Sequence, residues 1–172
     1  MKKTVLAVMV AGSALMGSMA SYAADGQVKF VGNITADACT VDAASKSMTV
    51  TLGDVATTAF TAKGDKSSAT AFQLTVSACP DTVNHVAIKF DGTSDSVDST
   101  LLALDSGMTA TAVAVEIADA QGNPLPLHTL SPSYAVTNKT ATLDLVGRYV
   151  STGASVGAGT ADATSQFTLN YQ

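Results

Sequence analysis

The sequence is poor in the side chains that do chemistry. It has two histidines, His85 and His128, a single glutamate, Glu116, and no tryptophan in 172 residues. His85 opens an apparent strand and His128 follows "PLPL" in a loop, and neither has the spacing of a metal site or a catalytic triad. Serines are plentiful, but no Gly-x-Ser-x-Gly elbow is present. A Gly-rich phosphate loop closed by a lysine and a hydroxyl is absent as well. Glu116 lies inside an alternating strand, and paired-carboxylate chemistry needs an aspartate facing it. Asp91, Asp95 and Asp98 in "DGTSDSVD" lack the alternate ligand spacing and distal glutamate of a calcium loop, so they read as a solvated turn. These shortages point away from an enzyme and call for no metal or cofactor.

Positive charge is also scarce. The chain opens with Met1-Lys2-Lys3, continues through an apolar stretch from Val5 to Met16, and reaches Ser21-Tyr22-Ala23. That is the pattern of a secretory signal peptide cut after Ala23, and the apolar run falls short of the roughly 20 residues of a membrane-spanning helix. Losing Lys2 and Lys3 takes the formal charge from −5 to −7. An acidic chain without basic clusters suits neither nucleic acid nor an anionic membrane. In an exported chain the two cysteines, Cys39 and Cys79, read as one disulfide. It would close a loop of about 40 residues, for which chain entropy gives roughly 4 kcal/mol.

What the sequence does contain is alternation. "CTVDA" (39–43), "MTVTLG" (48–53), "AFQLTVSAC" (71–79), "HVAIKF" (85–90), "TAVAVEIAD" (111–119), "ATLDLVGRYV" (141–150) and "FTLNY" (167–171) read as strands. "KGDKSS", "DGTSDS", "QGNPLP" and "STGASVGAG" separate them as turns and loops, which indicates one all-β sandwich or barrel. No internal repeat, linker or second domain is visible. "NIT" at 33 and "NKT" at 138 are formal glycosylation sequons of little specificity.

Both ends of the exported chain alternate. "GQVKFVGNIT" puts Gly26, Val28, Phe30, Gly32 and Ile34 on one face, with a gap at Gly32 that a strand packed in its own core would fill. "SQFTLNYQ" puts Phe167, Leu169 and Tyr171 on one face. Neither end carries the charge, proline or bulge that blunts an edge strand. Either the two strands pair within one molecule or each seeks a partner elsewhere.

The pieces "VKFVGNI", "ACTVDA", "RYVSTGA" and "ADATSQFTLNYQ", the two cysteines and the leader resemble the chaperone–usher pilins, in particular rod subunits of type 1 fimbriae. A penultimate tyrosine, Tyr171, and a glycine fourteenth from the end, Gly159, match that family's pattern. The resemblance implies an incomplete immunoglobulin-like sandwich lacking its last strand, completed by a donor strand from a neighbouring subunit. It divides the chain into a signal peptide (1–23), a donor-strand extension (24–35) and a pilin domain (36–172). It assigns Gly26, Val28, Phe30, Gly32 and Ile34 to five successive pockets in the next subunit, with Phe167, Leu169 and Tyr171 on the strand beside the groove.

The implied partners are identical or related pilin subunits, a periplasmic chaperone and an outer-membrane usher, and the implied destination is the fimbria at the cell surface. The expected function is structural, as a head-to-tail pilus subunit. The alternatives are a minor or adaptor pilin of the same machinery, or a monomeric secreted β-sandwich binding module whose first strand completes its own sheet.

Overall fold

The computed structural model describes residues 28–32 and 38–172. The chain divides into two units, Met1–Ile34 and Thr35–Gln172. The leader expected over 1–23 and the donor positions Gly26 and Ile34 lie outside the described residues.

The regular structure of the second unit is almost wholly antiparallel strand. One sheet has the order β1-β2-β6-β4, with β1 at Thr40–Val41, β2 at Thr70–Ser77, β4 at Val113–Asp119 and β6 at Ala141–Ser151. The other has the order β5-β3-β7, with β3 at His85–Asp91, β5 at Tyr134–Ala135 and β7 at Gln166–Tyr171. The alternation seen in the sequence sets the register. Phe72 faces Leu145 and Leu74 faces Leu143 across β2 and β6, while Ile88 faces Leu169 across β3 and β7. Leu74, Val76, Leu143, Leu145, Val86 and Ile88 are all but inaccessible and form the centre of the core. Each such side chain contributes about 1.5–3 kcal/mol relative to exposure.

β4 is buried on both faces, so its outward residues need partners of their own. Ala114 packs with Leu101 and Val150 in a small second cluster. Glu116, 6% exposed, faces Arg148 on β6 and accepts a hydrogen bond of 2.6 Å from its Nε. Lys66 reaches the same carboxylate at 2.7 Å from the segment that runs beside the end of β6. There the N–H groups of Gly64 and Ser67 donate to the carbonyls of Ser151 and Tyr149. Glu116 therefore opposes two cations, not the aspartate that carboxylate chemistry would require.

Two expectations need correction. The stretch 48–53 keeps its alternation, with Val50 and Leu52 half-buried, but joins no ladder among the described residues. The strand expected over 39–43 ends at Val41, because the Asp42 carbonyl accepts the N–H groups of Ser45 and Lys46 and starts a single helical turn, α1, at Ala43–Lys46. The buried Ser45 hydroxyl then takes the N–H of Thr75 on β2, a place a longer β1 would fill. The two-residue β5 carries no alternation long enough to be read from sequence. The Ala-rich stretch around 111–119 does form the expected strand, beginning at Val113.

Candidate functional site: an open sheet edge

Most edges of this fold are covered. Leu102 exchanges two backbone hydrogen bonds with Val115, and the Leu125 N–H donates to the Ile117 carbonyl, which closes the outer side of β4. The N–H groups of His128 and Ser131 donate to the carbonyls of Phe90 and Ile88 at 2.8 Å, which closes the side of β3 opposite β7. Among the described residues β7 is the longest edge strand left uncovered, pairing with β3 alone; the other one-sided edges, β1 and β5, are two residues each.

Two properties of β7 follow. Gln172 and His85 exchange both N–H···O=C bonds, and such pairs alternate along an antiparallel ladder. The peptide groups of Asn170, Thr168 and Gln166 therefore turn toward β3, and those of Phe167, Leu169 and Tyr171 turn away from it. Among the described residues no backbone group pairs with that outward set. The side chains show the same deficit. Phe90, Ile88 and Val86 on β3 are 5%, 1% and 0% exposed, whereas their partners Phe167, Leu169 and Tyr171 are only partly buried. The inward row of β7 has a neighbour on one side only.

At the Phe167 end lies an open cleft of about 410 Å³, lined by Val41, Lys46, Ser165, Gln166 and Phe167. At the other end the Tyr171 hydroxyl donates to the Cys39 carbonyl at 3.4 Å, and burial pushes its phenol pKa up. Cys39 and Cys79 are disulfide-bonded and buried, which ties the start of β1 to the end of β2. The penultimate tyrosine thus joins the free strand to the disulfide across the two sheets.

Gly159 lies away from this edge. The Thr160 carbonyl accepts the N–H groups of Thr109 and Ala110, so the backbone at 157–160 runs tightly along 109–111. A Cβ on Gly159 would stand 2.4 Å from the Ala110 nitrogen and 2.5 Å from the Thr109 carbonyl carbon. Those are backbone atoms that cannot swing aside, so Gly159→Ala is expected to cost about 1–3 kcal/mol. A melting curve of the oxidised variant matching that of the parent would contradict this packing.

In the first unit, Val28 and Phe30 are 76% and 91% exposed, and Gly32 has no atom within 4 Å of where its Cβ would stand. One association escapes sequence reading. Asp91 accepts from His128 Nδ1 at 3.0 Å, and Ser94 Oγ lies 3.3 Å from Nε2. The His128 hydrogen bond, followed by that of Lys89, holds the Asp91 carboxyl below the usual carboxylate range. The set has the order of a hydrolytic triad but not its setting. Half of the His128 side chain is solvated and Asp91 is shared with Lys89, whereas a triad carboxylate is buried and devoted to its imidazole. Asp95 and Asp98 hold their own turn, accepting from Val97, Asp98 and Thr100. Among the described residues no cluster of acidic, His or Cys side chains could hold a metal ion.

Fold and edge together define an immunoglobulin-like sandwich that lacks one edge strand. Residues 28–172 match the model of the fimbrial protein family. A fimbrial subunit type 1 of Klebsiella pneumoniae is 40% identical, and the A chain of the type-1 fimbrial protein of Escherichia coli is 38% identical; each alignment covers 100% of both chains. A solved type I fimbria protein of Burkholderia pseudomallei is 31% identical, with a TM-score of 0.62 over 77% of this chain and 88% of its own. The chain belongs to the fimbrial protein family and is a structural pilus subunit.

Proposed function

We propose that this subunit polymerises by strand insertion, residues 24–35 of one copy entering the open edge at β7 of the next. The observation that carries the reading is the half-buried row Phe167, Leu169 and Tyr171 opposite the fully buried row of β3. An inserted strand would take up the outward peptide groups of β7 and cover that row, the recognition mode of strand addition. Burying Val28, Phe30 and Ile34 would contribute roughly 1.5–3 kcal/mol each. Segment 48–53, alternating yet unpaired, offers a second unused run of backbone. In a sandwich of antiparallel ladders the added strand runs opposite to β7. Gly26 then lies by Tyr171, and Ile34 reaches the cleft at Phe167.

Such a contact is head-to-tail and does not close on itself, so it yields a filament. Until then the edge needs covering, the role a periplasmic chaperone would have before an outer-membrane usher delivers the subunit to the surface. Tyr171, Cys39–Cys79 and Gly159 act as scaffold in this reading, and no residue acts as a catalyst.

The test is assembly of the mature chain in a host supplied with chaperone and usher, read as multimers that resist detergent without boiling. Gly32→Leu and Ile34→Asp are each expected to reduce multimers at least about tenfold, the equivalent of 1.4 kcal/mol. Unchanged multimers with both substitutions would falsify strand insertion.

A further inference from the structure

Resting on that reading, we infer that Lys46 of one subunit pairs with Asp37 of the subunit inserted into it. Lys46 ends α1, is exposed, and lines the cleft together with the apolar side chains of Val41 and Phe167. Among the described residues Lys66, Lys89, Lys139 and Arg148 each have a carboxylate within ion-pair distance; Lys29, Lys46 and Lys63 have none, and of these only Lys46 lines the cleft. An unmatched cation at the rim of an apolar recess selects an occupant that is apolar where it enters and acidic just beyond. The segment following Ile34 has that character. Asp37 is the one charged residue between Lys29 and Cys39, and it stands three positions after the isoleucine that fills the cleft. Three residues span at most about 10 Å. A lysine covers much of that distance by laying its aliphatic stem along the recess wall with its ammonium in water.

A pair at such a rim acts on encounter rate and register more than on final affinity. It supplies what the apolar pockets lack, because a strand slipped by two residues still presents an alternating face while Asp37 loses its partner. It also makes assembly of this acidic chain sensitive to salt, since an exposed pair is screened over about 8 Å at physiological ionic strength.

The experiment compares rates of multimer formation for purified chaperone-bound mature chains carrying Lys46→Glu, Asp37→Lys or both, at low and high salt. Each single reversal is expected to slow assembly about three- to tenfold at low salt. The double reversal is expected to restore the parental rate to within about twofold. Lys46→Gln is expected to flatten the salt dependence while yielding as much oxidised, chaperone-bound subunit as the parent. A double reversal no faster than either single variant overturns the pair. So does rescue of Lys46→Glu by Asp25→Lys in place of Asp37→Lys, which would place the opposite end of the extension at the cleft. Ile34→Asp, run alongside, separates the two levels. If it abolishes assembly while Lys46→Glu is silent, the ion pair alone fails; if it assembles normally, strand insertion fails with it.

Discussion

Glu116→Ala is expected to lower the stability of the oxidised domain by about 3–5 kcal/mol, the cost of breaking a buried ion pair from one side. The substitution removes a carboxylate that answers both Arg148 and Lys66 and leaves the largely buried guanidinium of Arg148 uncompensated. The effect reaches beyond the charge. Lys66 belongs to the segment hydrogen-bonded to Tyr149 and Ser151, so release of its ammonium loosens the strap over the end of β6. Glu116→Gln keeps the volume but not the charge and is expected to lose most of the same amount. Replacing Glu116, Arg148 and Lys66 together with apolar residues of similar size is expected to cost far less, because no charge is then stranded. Urea unfolding with an unchanged slope measures all three. A loss below about 1 kcal/mol for Glu116→Ala would mean that the cluster is solvated like a surface pair.

Removing the disulfide by Cys39→Ser with Cys79→Ser is expected to cost about 4 kcal/mol, from the loop it closes. Part of the consequence is local. β1 is held to β2 at two register positions only, Thr40 with Ser77 and Val41 with Val76. Val41 lines the cleft and the Cys39 carbonyl receives the Tyr171 hydroxyl, so the open chain loses one wall of the edge along with global stability. Thermal unfolding with and without reductant, and of the double serine variant, provides the measurement. Equal midpoints in all three would show that β1 stays in place without the bond.

Particular residues show how far the sequence could be read. Alternation at Phe72-Leu74-Val76 and at Phe167-Leu169-Tyr171 located β2 and β7, because a half-buried strand writes its period into the chain. The same period misled at 48–53, since alternation reports which side chains face inward and says nothing of whether a backbone stands alongside. The local turn at Ala43–Lys46 depends on Ser45 bonding to Thr75, a contact thirty positions away in the chain. Ser94, His128 and Asp91 meet only because β3 and the 128–131 segment are neighbours in space. The open edge was legible in outline, as two alternating ends without blunting. The unpaired Lys46 beside the cleft was not, because a cation in a Ser- and Ala-rich stretch is indistinguishable from any other surface lysine.

The pairing of β3 with β7 also sets a clock. Val86 faces Tyr171 across most of the domain's length, so the second sheet cannot close until residues 166–171 are free to dock on β3. Ladders between such distant segments form slowly, in milliseconds to seconds. During that interval the inward rows of both strands stand exposed together. The subunit is therefore most vulnerable to aggregation before β7 docks, when its core is open on that side.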